Sequence, residues 1–130
     1  MVFMKELNPE MVGIGPFIPH SSTPFKDEKK GSVELTLRMV ALVRLMLPHA
    51  MIPATTALAT ASDDGQLQGI LHGANVIMPD ITPTEERAKY MIYDGKKITG
   101  DEAGENLEKI ARRIETIGYT LSMERGDYIP

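Results

Sequence analysis

Three short segments without charged residues alternate with helical segments along this 130-residue chain, and this order constrains the fold more than any other feature. Gly, Pro or polar residues lie within two positions of both ends of each segment, and each segment has the length of a strand. The predicted strands span residues 11–18, 51–60 and 74–78. Strands that alternate with helices predict a parallel sheet covered by helices, hence an α/β fold. Periodicity alone does not distinguish an open doubly wound sheet from one arc of a (βα)8 barrel.

Capping residues and apolar spacing place the helices between and after these strands. Ser32 suits the N-cap of a helix that Pro48 ends, and Gly73 suits the position after a second, short helix. Thr82 and Glu85 form a capping box for a third helix, and apolar residues three and four apart predict a fourth. The predicted helices span residues 33–47, 66–72, 83–92 and 102–117, and residues 119–123 alternate like a further short strand. The first helix is apolar over most of its circumference, which is typical of a helix covered on two sides.

Composition excludes several classes of protein. With 14 basic and 18 acidic residues the net charge is −4, so the balance favours neither nucleic acid nor an anionic membrane as a partner. The cysteine count is zero, which excludes disulfides, a cysteine nucleophile and a cysteine-ligated iron–sulfur cluster held by this chain alone. Residues 1–10 do not resemble a secretion signal, and the longest apolar stretch, at 33–47, is interrupted by charges. We therefore expect a cytoplasmic protein.

Any ligand site is expected at the carboxyl ends of the strands, where both candidate architectures bind ligands. These ends, residues 15–21, 55–60 and 78–82, are rich in Gly, Pro, Thr and His, although Pro and Thr also end strands and cap helices. Gly13 and Gly15 indicate close approach of another group to the backbone. They are not followed by a third Gly and a helix, so they are a poor dinucleotide-binding fingerprint. His20 lies in a strand-end loop, but the three histidines show no metal-ligand spacing.

Two pairs of side chains could line a cavity at this end. Thr55 and Thr56 offer hydroxyls, but regular pleating turns only one of them to a given face of the sheet. Tyr90 and Tyr93 are three residues apart and share a helical face. Both tyrosines are also compatible with an ordinary half-buried position.

The three strand segments resemble one known family. MVGIGPFIPHSSTP, IPATTALAT and GANVIMPDITP, in this order and spacing, are similar to the C-terminal part of the radical-SAM maturases of [FeFe]-hydrogenase, the HydE family, which is related to biotin synthase. The final stretch, YDGKKITGDEAGENLEKIARRIETIGYTLSMERGDY, resembles the family's tail. The match covers essentially all 130 residues, and residues 3–7 resemble the end of a preceding helix. The departures are QLQG at residues 66–69 in place of a basic sequence, Asp80 in place of Asn, and no cysteine in the tail.

The resemblance implies a fold and a set of site residues. The family has a (βα)8 barrel whose CxxxCxxC loop holds a [4Fe–4S] cluster that cleaves S-adenosylmethionine. This chain then supplies the last three barrel strands, as three parallel βα units in residues 1–98, with a helical tail in residues 99–130, all in one domain. The implied S-adenosylmethionine contacts are Gly13, Gly15, Pro16, Phe17, Ile18 and Pro19. The implied lining of the substrate cavity is Met11, Thr55, Thr56, Met78, Tyr90 and Tyr93.

The resemblance predicts a C-terminal fragment of a radical-SAM enzyme that acts on a small-molecule substrate during hydrogenase maturation. Because the cysteine loop is absent, we expect the chain alone to bind neither the cluster nor any other cofactor and to be inactive. The main alternative is a non-enzymatic partial barrel that complements another chain carrying the other strands, or that self-associates. A small independent α/β ligand-binding protein is the third interpretation.

Overall fold

The computed structural model describes residues 2–87, 89, 95 and 103–129, and helices dominate this part of the chain. The helices are α1 (Val2–Leu7), α2 (Val33–Met46), α3 (Thr56–Ala61), α4 (Gly65–Leu71), α5 (Thr84–Arg87) and α6 (Ala103–Glu115). The predicted helices at 33–47, 66–72 and 102–117 are thus confirmed within a few residues. Of the helix predicted at 83–92, four residues form α5, and the remainder lies largely outside the described residues.

Three extended segments, residues 10–12, 51–54 and 74–78, pair side by side. Met51 pairs with Met11 and Pro53 with Val76, and both pairings are parallel. The Met51 N–H donates to the Glu10 carbonyl at 2.8 Å, and the Ala54 N–H donates to the Val76 carbonyl at 2.8 Å. The second segment therefore lies between the other two. The pairings are isolated bridges, and no continuous strand forms among the described residues, so the strands are shorter than the sequence pattern predicted.

The paired segments have two different faces, because side chains directly opposite in a parallel pair point the same way and alternate along the chain. Val12, Ile52 and Ala54 point to one face and are 6%, 0% and 2% exposed. This face of the extended segments packs against residues of α2 and α4 in the hydrophobic core. Met11, Met51, Pro53 and Val76 belong to the other face, named here the open face, on which Met11 is 45% exposed.

Helix α2 is fixed at both ends. The Ser32 side chain accepts a hydrogen bond from the Leu35 N–H at 3.1 Å, and the helix ends just before Pro48, as the sequence predicts. Near its C-terminus, the Arg44 guanidinium donates to the carbonyls of Gly73 at 2.8 Å and Pro48 at 2.7 Å. Burial lowers the pKa of Arg44, because an apolar environment disfavours the charged form. This side chain joins α2 to the turn that precedes the third extended segment.

The predicted strand at 51–60 is wrong in its second half, because α3 begins at Thr56. Thr55 has extended backbone angles, and its side chain caps the helix by accepting from the Leu58 N–H at 3.3 Å. Helix α4 packs tightly against α3: a Cβ on Gly65 would lie 2.1 Å from the Leu58 carbonyl oxygen. Gly73 has φ +113°, as expected of a residue that follows a helix in the left-handed region.

Helix α6 packs its apolar side against the core. Ile114 is buried, while Ile110 and Ile117 are partly buried against the same cluster, which confirms the predicted spacing. Gly118, with φ +81°, follows the helix. Residues 119–123 form no bridge and are irregular, contrary to the prediction of a strand. Leu121 nevertheless packs against the core and anchors this segment.

Candidate functional site

The carboxyl end of the second extended segment lies against residues 13–19. Gly15 is so close to Thr55 that a Cβ built on it would lie 3.0 Å from Thr55 Oγ1 and 3.4 Å from the Ala57 Cβ. A Cβ built on Gly13, in contrast, has no heavy atom within 4 Å. The structure therefore brings together two of the predicted site elements, the glycine segment and the first threonine, and leaves Gly13 open.

Thr55 belongs to the open face by alternation from Met51 and Pro53. It is half-buried, and its oxygen already accepts the hydrogen bond that caps α3. A hydroxyl that accepts can still donate its own proton, so Thr55 can offer one hydrogen bond to a ligand beside Gly15. Thr56 is the first residue of α3 and is also half-buried. The two hydroxyls thus belong to different elements and do not act as a regular strand pair.

The backbone at Pro16 and Phe17 is contacted by Gly31, at the base of a loop. The Gly31 N–H donates to the Phe17 carbonyl at 2.8 Å, which closes a loop over residues 17–31. A Cβ on Gly31 would lie 2.6 Å from the Phe17 backbone nitrogen, so this close approach requires glycine. Pro16 is buried, Ile18 and Pro19 are half-buried, and Phe17 packs edge-to-face on Phe25 with ring centroids 6.4 Å apart.

His20 follows this segment and shapes the loop. Its Nδ1 accepts a hydrogen bond from the Ser22 N–H at 3.0 Å, so a neutral ring carries its proton on Nε2. Its carbonyl accepts from both the N–H and the hydroxyl of Thr23, at 3.0 and 2.9 Å. The histidine that the sequence placed in a strand-end loop therefore stabilises a turn there.

Methionines mark the open face. Met11 is 45% exposed and Met78 is 56% exposed, and Met78 shares the side of Val76 by alternation. Met51 lies directly opposite Met11 and is not among the residues predicted for the site. Its alternation with Thr55 along the second segment is the signal that could have found it. Tyr90 and Tyr93 lie outside the described residues.

A cavity of about 490 Å³ opens at the other end of the segments, near their amino ends. Met11, Met51 and Asn75 line it from the extended segments, and the stretch after α6 lines it from the opposite side. Asn75 accepts a hydrogen bond from the Ile52 N–H at 2.8 Å. No sequence pattern indicates this cavity, because its two walls lie more than forty residues apart and meet only in the fold.

The described residues contain no group of three or more His, Asp or Glu side chains that could hold a metal ion. With no cysteine anywhere in the 130 residues, thiolate ligation of an iron–sulfur cluster has no donors here. Across the described parts of the chain, every helix is too short or too polar to cross a lipid bilayer.

Comparison with known proteins shows which family the chain belongs to. The profile of the biotin and thiamin synthesis associated domain matches residues 14–120, and the chain belongs to this family. The chain is 46% identical over 118 residues to the [FeFe] hydrogenase maturase subunit HydE of Thermotoga maritima. This alignment covers 91% of this chain and 34% of that protein. This confirms the resemblance to the radical-SAM, biotin synthase-related maturases.

Two further relatives are more distant. The 3-methylornithine synthase of Methanosarcina acetivorans is 27% identical over 115 residues, covering 88% of this chain and 31% of that enzyme. A biotin synthase of Acinetobacter baumannii is 32% identical over 69 residues, covering 53% of this chain and 21% of that enzyme. The chain thus spans at most about a third of the length of these curated relatives.

Proposed function

We propose that this chain forms the last three βα units of a (βα)8 radical-SAM enzyme of [FeFe]-hydrogenase maturation. It contributes part of the cavity for S-adenosylmethionine and a small-molecule substrate, while residues outside these 130 ligate the [4Fe–4S] cluster. The observation that carries the proposal is the 46% identity to a hydrogenase maturase over 91% of the chain.

The geometry supports a partial barrel. Three consecutive extended segments lie side by side, in chain order and all parallel, as successive strands of a barrel do. Helices α2 and α4 cover one face of these segments through Val40, Val43 and Ile70. The open face then corresponds to the barrel interior, where Met11 and Met78 would meet the side chains of the other strands.

The residues fit one of the two implied cofactors. The chain offers no thiolate for a cluster, and its described residues offer no alternative metal-ligating group. S-adenosylmethionine suits the carboxyl end better, since the backbone at Gly13 faces open space. Thr55, which lies beside Gly15, has a hydroxyl proton to donate to a neighbouring substrate. When bound to a reduced cluster, the cofactor supplies radical chemistry. Residues 13–19 would then hold its adenosyl part, and Thr55, Thr56, Tyr90 and Tyr93 would bind and orient the substrate.

A chimera tests the proposal. The matched 118 residues of the Thermotoga maritima maturase are replaced by those of this chain, and methionine release from S-adenosylmethionine is measured under reducing conditions. We expect release within about tenfold of the parent rate, because a barrel that closes with a relative's strands keeps its cofactor site. A folded chimera that binds its cluster but releases no methionine would contradict the proposal.

Variants of the chimera separate site from fold. Thr55→Val removes the hydroxyl proton and the α3 cap together, whereas Thr55→Ser retains both. The matched control is Thr116→Val, which removes an exposed hydroxyl at the end of α6. We expect Thr55→Val to raise KM or lower kcat more than its loss of thermal stability explains, with Thr55→Ser and Thr116→Val near the parent. Equal activity of all three variants would remove Thr55 from the site.

The isolated chain provides a second test. Reconstitution with iron and sulfide is expected to leave no stable [4Fe–4S] absorption after desalting, since no cysteine is present. A chain without any thiolate also fits the alternative role. In that role it is a partial barrel that complements a cluster-bearing chain and does not catalyse a reaction by itself. Adding the chain to a maturase truncated before its matched region distinguishes the two: restored methionine release indicates an enzyme part, and binding without release indicates an assembly module.

A further inference from the structure

The loop of residues 17–31 carries one large apolar side chain in a polar stretch of sequence. Residues 21–31 read SSTPFKDEKKG, in which Phe25 is followed by five charged residues. Phe25 packs edge-to-face on Phe17, with ring centroids 6.4 Å apart and an angle of 86° between the ring planes. This is a preferred geometry for two aromatic rings. The loop therefore folds back so that its middle contacts its own base.

Hydrogen bonds give the loop a defined course between the two rings. The Lys26 N–H donates to the Thr23 carbonyl at 3.2 Å, and the Glu28 N–H donates to the Phe25 carbonyl at 3.1 Å. These two turns lie between the turn at His20 and the closed base of the loop. Phe25 thus lies on a segment whose backbone is held on both sides of it.

The aromatic pair orients Phe17 and adds little to the core. Phe17 and Phe25 remain 46% and 60% exposed, and neither belongs to the hydrophobic core, so the burial that the pair provides is small. Gly31 lies against the backbone nitrogen of Phe17 and donates to its carbonyl, whereas Phe25 contacts the ring. The contact with Phe25 therefore restricts rotation of the Phe17 side chain, which the backbone contacts alone do not do.

We propose that Phe25 is a positioning residue. It holds Phe17, and with it the backbone of residues 16–18, in the conformation that binds the adenosyl part of S-adenosylmethionine. This inference rests on the proposed function, in which residues 13–19 hold that part. Phe25 acts through Phe17 and needs no contact with the ligand itself.

The expected effect of losing the contact is on binding. If the Phe17 ring rotates freely, only a fraction of the molecules is ready to bind, and the apparent dissociation constant rises by the inverse of that fraction. Once bound, the ligand itself holds Phe17 in place. The turnover of the saturated enzyme therefore changes little.

Binding of S-adenosylmethionine to the chimera tests this role. Without a reductant the ligand is not consumed, so calorimetry gives its dissociation constant, and the assay under reducing conditions gives KM and kcat. Phe25→Ala is expected to raise the dissociation constant and KM about three- to tenfold, with kcat within about twofold of the parent. Phe25→Tyr keeps the ring and should restore parental binding. The matched control is Lys26→Ala, which shortens an exposed side chain in the same loop and should bind like the parent.

The full 130-residue chain tests the contact without any ligand. The Gly31 N–H donates to the Phe17 carbonyl, so its amide hydrogen exchange reports whether the base of the loop stays closed. Phe25→Ala is expected to speed this exchange about fivefold or more, and Phe25→Tyr to leave it unchanged. The Tm should stay within about 2 °C of the parent, because neither ring belongs to the core.

The outcomes separate this inference from the proposed function. Equal binding by the parent and the Phe25→Ala chimera, or unchanged exchange of Gly31, overturns the role of Phe25 alone. A lower kcat at an unchanged dissociation constant also overturns it, as does a loss of Tm that accounts for the weaker binding, since either result assigns Phe25 to general stability. A folded parent chimera that binds no S-adenosylmethionine contradicts the proposed function and overturns the positioning role with it.

Discussion

The contact between α3 and α4 gives a sharp test of the packing, because it leaves no space for a single methyl group. A Cβ on Gly65 would lie 2.1 Å from the Leu58 carbonyl oxygen, whereas ordinary contacts begin at 3.4 Å, so one of the two helices must move by more than 1 Å. The Leu58 carbonyl accepts the Ser62 N–H at 3.0 Å, so its displacement disturbs the end of α3. Overpacking of this kind costs about 3 kcal/mol, and replacing Gly by Ala in a helix returns up to about 1 kcal/mol.

Gly65→Ala is therefore expected to destabilise the chain by about 2 kcal/mol, which corresponds to a Tm lower by roughly 6–10 °C for a domain of this size. Two other glycines provide a graded series. Gly69→Ala brings a Cβ to 3.3 Å from a Leu58 methyl that can rotate away, and Gly13→Ala meets no atom within 4 Å. Thermal denaturation followed by circular dichroism should rank Gly13→Ala as neutral or slightly stabilised, Gly69→Ala as mildly destabilised, and Gly65→Ala as the least stable. A Gly65→Ala chain that melts at or above the parent temperature would falsify the close packing of α3 on α4.

Three other changes give independent tests of the fold. Ile52→Ala empties a fully buried position and is expected to cost about 2–5 kcal/mol in urea denaturation, because the cavity adds to the lost burial. Arg44→Lys cannot span both carbonyl acceptors and should cost about 2 kcal/mol, whereas Arg38→Lys, in an exposed ion pair with Glu34, should cost under about 0.5 kcal/mol. The Ser62 hydroxyl, which donates to Asp64, is the main cause that lowers the pKa of this carboxyl from its model-compound value of 3.8. The lowered pKa contributes stability that is fully present above about pH 4 and is lost as the pH falls through the pKa of Asp64 in the folded chain. The free energy of unfolding of the Asp64→Asn variant should therefore decrease less steeply with falling pH than that of the parent.

Local signals predicted the helices well, because capping and termination depend on neighbours in the chain. Ser32 and Gly118 mark the start of α2 and the end of α6 in the sequence and in the structure. The same kind of signal explains why residues 56–60 do not continue the strand. Their apolar and β-branched composition is typical of a strand, yet Thr55 is itself a good N-cap, and its side chain starts α3. Where a threonine can either continue a strand or cap a helix, the tertiary packing of α3 on α4 decides.

Part of the candidate site is predictable from the sequence, and the part that depends on distant contacts is not. The hydroxyl at the end of the second segment indicates Thr55, and the family resemblance implies Met11; both residues belong to the open face. Met51 lies on the same face, but a methionine in an apolar segment resembles any core residue. The cavity at the amino ends is lined by Leu121 and the irregular stretch around it. This stretch follows α6 in the chain, and its position beside the extended segments depends on the packing of α6 on the core.

The glycines of residues 13–31 show how packing and site are connected. The pattern at Gly13 and Gly15 predicted close approach of another group to the backbone, and at Gly15 that group is Thr55 of the same chain. Gly31 makes the corresponding approach to Phe17 from the loop that leads to α2. Residues 15–17 are thus held from two sides by their own fold, and a side chain at Gly15 or Gly31 would displace them. Because only Gly13 faces open space, it is the glycine at which a ligand, rather than the protein itself, can explain the missing side chain.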